Sequence, residues 1–194
     1  VTVEIVNRNR AMRVDLSLLK RVASRAVELE SQGAIGGREG KSVAENDVGA
    51  IANRDRVRGG REYNSLPQGL SPARFLNALE ISLVDDAAIA RVNEEFLGHA
   101  GATDVISFLY ESERRGELII STERAAAQSK EWGNTVAREI ALYVVHGILH
   151  LNGYTDTTAP QKKRMRRREK ELMSLLAQEF DLEKILKIKG RAGR

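Results

Sequence analysis

Apolar residues recur along this chain with two distinct periods. VTVEIVN at the start alternates apolar and polar positions, the signature of a strand. In DLSLLKRVASRAVELE, Leu16, Leu19, Val22, Ala23, Ala26 and Val27 share one face at helical spacing, so a helix is expected over 15–30. ALEISLV (78–84) again reads as a strand, and Asp85 or Asp86 can cap a helix carrying Ile89, Val92 and Phe96. GHAGA reads as a loop. TDVISFLY and GELIIS read as two strands joined by a short polar turn, hence a hairpin. STERAAAQSKEW then predicts a helix stopped by Gly133. Asn134 or Thr135 opens another helix running to about Asn152. Pro160 suits the first turn of a last helix that reaches about Phe180. This mixture of an adjacent strand pair with separate helices predicts an α+β fold.

The stretch from Ser31 to Gly69 breaks the pattern. It holds 8 of the 16 glycines, many charges and only scattered apolar residues. Connections of this length are uncommon inside a compact domain. The expectation is therefore a single domain over 1–194, interrupted by a flexible glycine-rich insertion at 31–69, with order returning at Pro72.

At 42% apolar residues the chain can bury a core, yet it has no apolar run of about 18 residues, so no membrane-spanning helix is expected. The N-terminus carries no hydrophobic signal core. Without cysteine the chain has neither disulfides nor thiolate ligands, which suits a cytoplasmic setting, and any metal must use His, Asp, Glu or backbone oxygen. The net charge of +4 is uneven. From Pro160 onward there are 12 Lys/Arg against 5 Asp/Glu, and the rest of the chain is net negative. This basic helix and tail suit a polyanion such as RNA, and they equally suit a solvated helix face.

REIALYVVHGILHLNG is apolar around nearly its whole circumference, which places it among other elements. His146 and His150, four residues apart, project from one face. Gly153 can turn the chain so that Asp156 returns toward them. Two imidazoles and one carboxylate with a position left for water make the usual form of a catalytic zinc site, and nickel, cobalt or iron can take similar ligands. The competing reading is a buried helix whose histidines bond backbone carbonyls. HGILH differs from the HExxH helix of metallopeptidases, where a glutamate follows the first histidine as general base. Here Gly147 stands in that place and donates nothing. It would leave space beside the ion or let another backbone approach.

HGILHLNGYTD (146–156), TDVISF (103–108) and GELIIS (116–121) resemble, in order and spacing, HGxLHLxGYDH, TDVLSF and G-D/E-I-x-IS of the YbeY family, bacterial endoribonucleases of ribosomal RNA maturation. A helix containing Asn93 precedes the second motif, as in that family. The resemblance spans roughly Leu79 to Leu176. It implies a small mixed β-sheet packed with helices around a central metal-binding helix, and one Zn2+ per chain, with His146 and His150 as ligands and Asp156 in place of the family's third histidine. The added negative charge should acidify bound water less than a third imidazole would. Thr155 stands where the family has aspartate, Ala102 where it has proline, and Leu97 where it has an arginine associated with catalysis or phosphate contact. His99, two residues on, is a candidate substitute.

The resemblance implies a zinc-dependent hydrolase cutting single-stranded RNA during maturation of the 3′ end of 16S rRNA and ribosome quality control. Its partners would be ribosomal RNA and small-subunit ribosomal proteins, without membrane or nucleotide cofactor. The reactive group would be water on the ion. Lys162, Lys163, Arg166 and Arg167 are candidates for neutralising phosphates. No side chain in the motifs identifies itself as general base, and Asp104 is expected to serve the turn into its strand. Aromatics make up only 5% of the chain, so phosphate contacts should dominate over base contacts. Two other functions fit the same residues: a non-catalytic ribosome-assembly or RNA-binding factor with a structural or vestigial metal site, and a metal-dependent hydrolase of another substrate.

Overall fold

A computed structural model of the chain describes residues 1–36, 51–52 and 76–187. Its elements run in the order β1 (Thr2–Asn7), α1 (Leu16–Gly36), β2 (Ile51–Ala52), β3 (Ala78–Val84), α2 (Asp86–Leu97), β4 (Val105–Tyr110), β5 (Arg115–Ser121), α3 (Thr122–Trp132), α4 (Val136–Leu151) and α5 (Ala159–Glu179), closed by a 3-10 turn over Leu182–Ile185. The five strands lie in the order β1-β3-β5-β4-β2. β1 and β5 both flank β3 in parallel, whereas β4 pairs with β5 antiparallel and β2 with β4 in parallel. The fold is α+β, as the pattern implied, and its sheet is mixed, as the resemblance implied.

Local chemistry accounts for the helix ends. Asp85 accepts from the Ala88 amide at 2.7 Å, and Ser121 and Thr135 cap α3 and α4 in the same way. Thr158 and Gln161 form a capping box at the start of α5, with Pro160 in its first turn. Between the two aspartates and between Asn134 and Thr135, the structure chooses Asp85 and Thr135 as caps.

The strands divide their side chains between two cores, as a period of two requires. Leu79, Leu83, Val105, Leu109, Leu118 and Ile120 join the larger core with the buried faces of α1, α4 and α5. Ile106, Phe108, Tyr110 and Ile119 face a smaller core under α2, where Phe96 meets Phe108 edge to face with ring centroids 5.6 Å apart. Every residue of β4 is buried because both faces of the sheet are covered there. α4 touches α1, α3, α5 and both strands of the hairpin, so its apolar circumference has a neighbour on every side.

One boundary differs from expectation. α1 continues to Gly36, six residues into the stretch read as an insertion from Ser31. The Ser31 hydroxyl donates back to the Val27 carbonyl at 2.8 Å, a bond that fits inside a helix. Most of the 31–69 stretch and the resumption at Pro72 lie outside the described residues. Among the described residues no helix is long and apolar enough to cross a membrane.

Candidate metal centre

α4 ends in a Schellman motif. Tyr154 N–H reaches the Leu149 carbonyl at 3.0 Å and Gly153 N–H reaches the His150 carbonyl at 2.8 Å. Gly153 has φ +82°, a left-handed conformation that costs glycine little. This reversal carries Tyr154 back over the last turn, so its carbonyl accepts from His150 Nδ1 at 2.9 Å. Two residues later Asp156 Oδ1 stands 4.0 Å from His150 Nε2. His146 sits one turn earlier, and its Nε2 lies 2.9 Å from that of His150. Ligand atoms of His146, His150 and Asp156 all fall within 4.8 Å of one another.

Hydrogen bonds assign the tautomers. A carbonyl oxygen only accepts, so His150 Nδ1 carries the hydrogen it donates to Tyr154. His146 Nδ1 lies 2.6 Å from Glu169 Oε1 and donates likewise to that carboxylate. With both Nδ1 atoms committed outward, the two Nε2 lone pairs point at each other. Such a contact repels unless a cation, a proton or a metal, lies between them. Tetrahedral zinc ligands at about 2.0–2.1 Å from the ion would be roughly 3.3 Å apart. The Nε2–Nε2 separation is slightly shorter than this and the Asp156 distance slightly longer. Asp156 is partly exposed on its loop, so a small side-chain rotation closes the set. The donors fit a zinc-like ion.

The surroundings drive the two rings apart electrostatically. Burial disfavours charge on His146, but the hydrogen bond and the charge of Glu169, with Asp104 and Asp156 beyond, outweigh it and raise its proton affinity. Burial and the neighbouring His146 lower that of His150, which is only 3% exposed.

The centre opens into a cavity of about 520 Å³ whose walls include Asp104, Tyr143, Trp132, Lys162 and Arg166 beside His146 and Asp156. Asp104 Oδ1 accepts from the Thr103 hydroxyl at 2.9 Å and from the Val105 amide at 2.8 Å. It therefore does build the turn into β4, and its charge also reaches both histidines.

A family model described as "Endoribonuclease YbeY" matches residues 62–177. The Endoribonuclease YbeY of Desulfitobacterium hafniense is 34% identical over 155 residues, which cover 70% of this chain and 92% of that protein. The chain belongs to the YbeY family. The Enterococcus faecalis YbeY is 37% identical over 114 residues, covering 49% of this chain and 72% of its own. A solution structure from Thermotoga maritima superposes with a TM-score of 0.52 at 19% identity over the full length of both chains, so it shares the fold.

Against the YbeY pattern, His146, His150 and Asp156 come together, and His99 and Leu97 do not join them. His99 is exposed, outside the cavity wall, and among the described residues it joins no ligand cluster. Leu97, at the YbeY arginine position, packs against the smaller core under α2. Of the four basic candidates Lys162 and Arg166 line the cavity, while Lys163 and Arg167 are exposed outside its wall. Gly147 leaves no room for the ion. A Cβ there would meet Leu118 Cδ2 at 2.6 Å, so the space is taken by a core leucine of β5.

Glu169 escaped the sequence reading, which took its segment only as a basic run. The signal was present in the spacing. Met165, Leu172 and Leu176 are buried on one stripe of α5, and Glu169 falls on that stripe, its side chain 15% exposed. A carboxylate on an apolar stripe needs a partner.

Proposed function

We propose that this protein is a metal-dependent endoribonuclease that cuts single-stranded RNA in maturation of the 3′ end of 16S rRNA and in ribosome quality control. Membership of the YbeY family supports the reaction class. The observation that carries the reading is the facing pair of Nε2 atoms, 2.9 Å apart, with both Nδ1 atoms engaged elsewhere. One zinc ion per chain, held by His146, His150 and Asp156, answers that arrangement.

When bound, such an ion lowers the pKa of coordinated water toward ~7 and polarises a phosphoryl oxygen. The protein does the rest. Glu169 and the Tyr154 carbonyl hold the two rings in the ligating tautomer. Lys162 and Arg166, one turn apart on α5, face the cavity and neutralise backbone phosphates. Lys163 and Arg167 extend the same positive surface outward. The substrate is ribosomal RNA, the protein partners are small-subunit ribosomal proteins, and the setting is the cytoplasm.

The test joins metal analysis with cleavage. Purified protein is expected to hold close to one zinc per chain, His146→Ala to lose it, and chelator to stop cleavage of single-stranded RNA. Equal metal in the two proteins would remove the site from consideration. A second reading is a non-catalytic assembly factor, and Leu97 in the arginine position favours it. Metal and RNA binding without any cleavage would select that reading.

A further inference from the structure

Trp132 is the chain's single tryptophan, and 71% of its surface is exposed. Val1 and Val6, the other exposed large apolar residues among those described, lie at the N-terminus and in β1. Trp132 alone of the three forms part of the cavity wall that also holds His146, Asp156, Lys162 and Arg166. It is the last residue of α3, on a turn that is anchored. Asn134 N–H donates to the Ser129 carbonyl at 2.9 Å, and the Asn134 amide donates to Glu139 Oε1 at 2.8 Å. Glu139 is itself buried in the first turn of α4. The indole therefore stands in water on a fixed support, at the edge of a recess whose wall also carries Lys162 and Arg166.

We infer that Trp132 is the stacking platform for one nucleobase of a single RNA strand, beside the phosphate held by Lys162 and Arg166. This rests on the reading of the cavity as an RNA-cleaving site. Charge decides the occupant. Of the four carboxylates in the wall, Asp104 serves the turn into β4, Glu139 holds Asn134, Glu169 holds His146 and Asp156 belongs to the candidate metal set, which leaves the exposed Lys162 and Arg166 to an anionic backbone, and a π face alongside that backbone fits a base. Every base offers a π face, so one stacked position gives single-strand preference with little sequence selectivity. It adds one base contact to the phosphate contacts expected to dominate binding: the chain's few aromatics include one placed at the site.

With one tryptophan in the chain, fluorescence excited at the red edge, where the four tyrosines barely absorb, reports on this residue alone. Titration with a single-stranded 2′-O-methyl oligoribonucleotide, which presents bases and phosphates, is expected to quench it. An abasic oligomer of equal length and charge is expected to bind more weakly and leave the emission nearly unchanged. By fluorescence anisotropy of the labelled oligonucleotide, Trp132→Ala is expected to lose about tenfold in affinity, the scale of one stacked base. Trp132→Phe should keep most of it, and neither change should alter affinity for the abasic oligomer. Equal affinity of Trp132→Ala and wild type for the base-bearing oligomer overturns the inference and leaves the indole to a protein partner. Equal quenching by both oligomers overturns it as well. Chelator-sensitive cleavage of RNA by the wild type, run in parallel, separates the two levels. Cleavage without quenching sinks only the stacking platform. Failure both to bind and to cleave RNA sinks the reading of the cavity.

Discussion

Glu169 Oε1 lies 2.6 Å from His146 Nδ1, joining the centre of α5 to the helix that carries both histidines. The contact gives the basic helix an anchor in the site. Met165, Leu172 and Leu176 bury the apolar stripe of α5, Glu169 engages the ring, and in the turns before it Lys162 and Arg166 face the cavity while Lys163 and Arg167 face solvent.

Replacing Glu169 with Gln should weaken metal binding. Gln keeps an acceptor for the Nδ1 hydrogen but removes the charge that makes the imidazole a better donor to the ion. Loss of an outer partner of this kind costs about 10- to 100-fold in affinity. Glu169→Gln is expected near the low end and Glu169→Ala near the high end. Competition with a fluorescent zinc chelator measures both, and wild-type affinity in Glu169→Ala would deny the carboxylate this role.

Lys162 and Arg166 should carry salt dependence that their neighbours do not. Each phosphate contact on a single strand contributes a slope of about 0.7 in log affinity against log salt. Lys162→Ala and Arg166→Ala are each expected to lower the magnitude of the slope by about that amount, while Lys163→Ala and Arg167→Ala change it less. Binding isotherms at four or five salt concentrations decide the matter.

Gly147 is expected to be intolerant of a methyl group. Its Cβ would stand 2.6 Å from Leu118 Cδ2 and 3.0 Å from Cδ1, and Leu118 is fully buried. Overpacking costs about 1–3 kcal/mol, partly offset by the ~1 kcal/mol by which alanine favours a helix over glycine. The sharper expectation is coupling. Leu118→Ala removes the clash, so the double variant should be more stable than the sum of the singles by at least about 1 kcal/mol. Urea denaturation of the four proteins supplies the cycle, and simple additivity would refute the contact.

Tyr143 should make the fold sensitive to alkali. Burial, reinforced by the charges of Asp104 and Glu139, raises its phenol above the ordinary range, and its hydroxyl bonds Gln128 Oε1 at 2.8 Å. A raised folded-state value means stability that is whole below the unfolded value of about 10 and is lost progressively as pH climbs from there toward the higher folded-state value. Ultraviolet titration should show Tyr143 ionising only together with unfolding, and Tyr143→Phe should flatten the alkaline limb of stability against pH. Ionisation of Tyr143 in the ordinary range without loss of structure would contradict this.

Much of the fold was legible because its signals are local. The starts of α2, α4 and α5 and the stops of α3 and α4 followed from capping, first-turn or left-handed residues, and the β4–β5 hairpin followed from two strand-like runs around a polar turn. The end of α1 was misplaced because the glycine-rich, charged composition from Ser31 suggested a break, whereas the helix runs on through Gly33 to end at Gly36. β2 was not foreseen, since two residues are too few to show a period.

The sequence by itself determined that His146 and His150 share one face of a buried helix and that the chain can turn at Gly153, because both depend on backbone periodicity and one left-handed residue. Tertiary structure alone decided what meets that face. It brought Glu169 from α5 to the first ring, filled the gap at Gly147 with Leu118, seated Leu97 in the smaller core, and set Trp132 and Arg166 in one cavity wall. Helical spacing specifies a direction from the axis. The partner found in that direction depends on how distant segments pack, through contacts that no local pattern encodes.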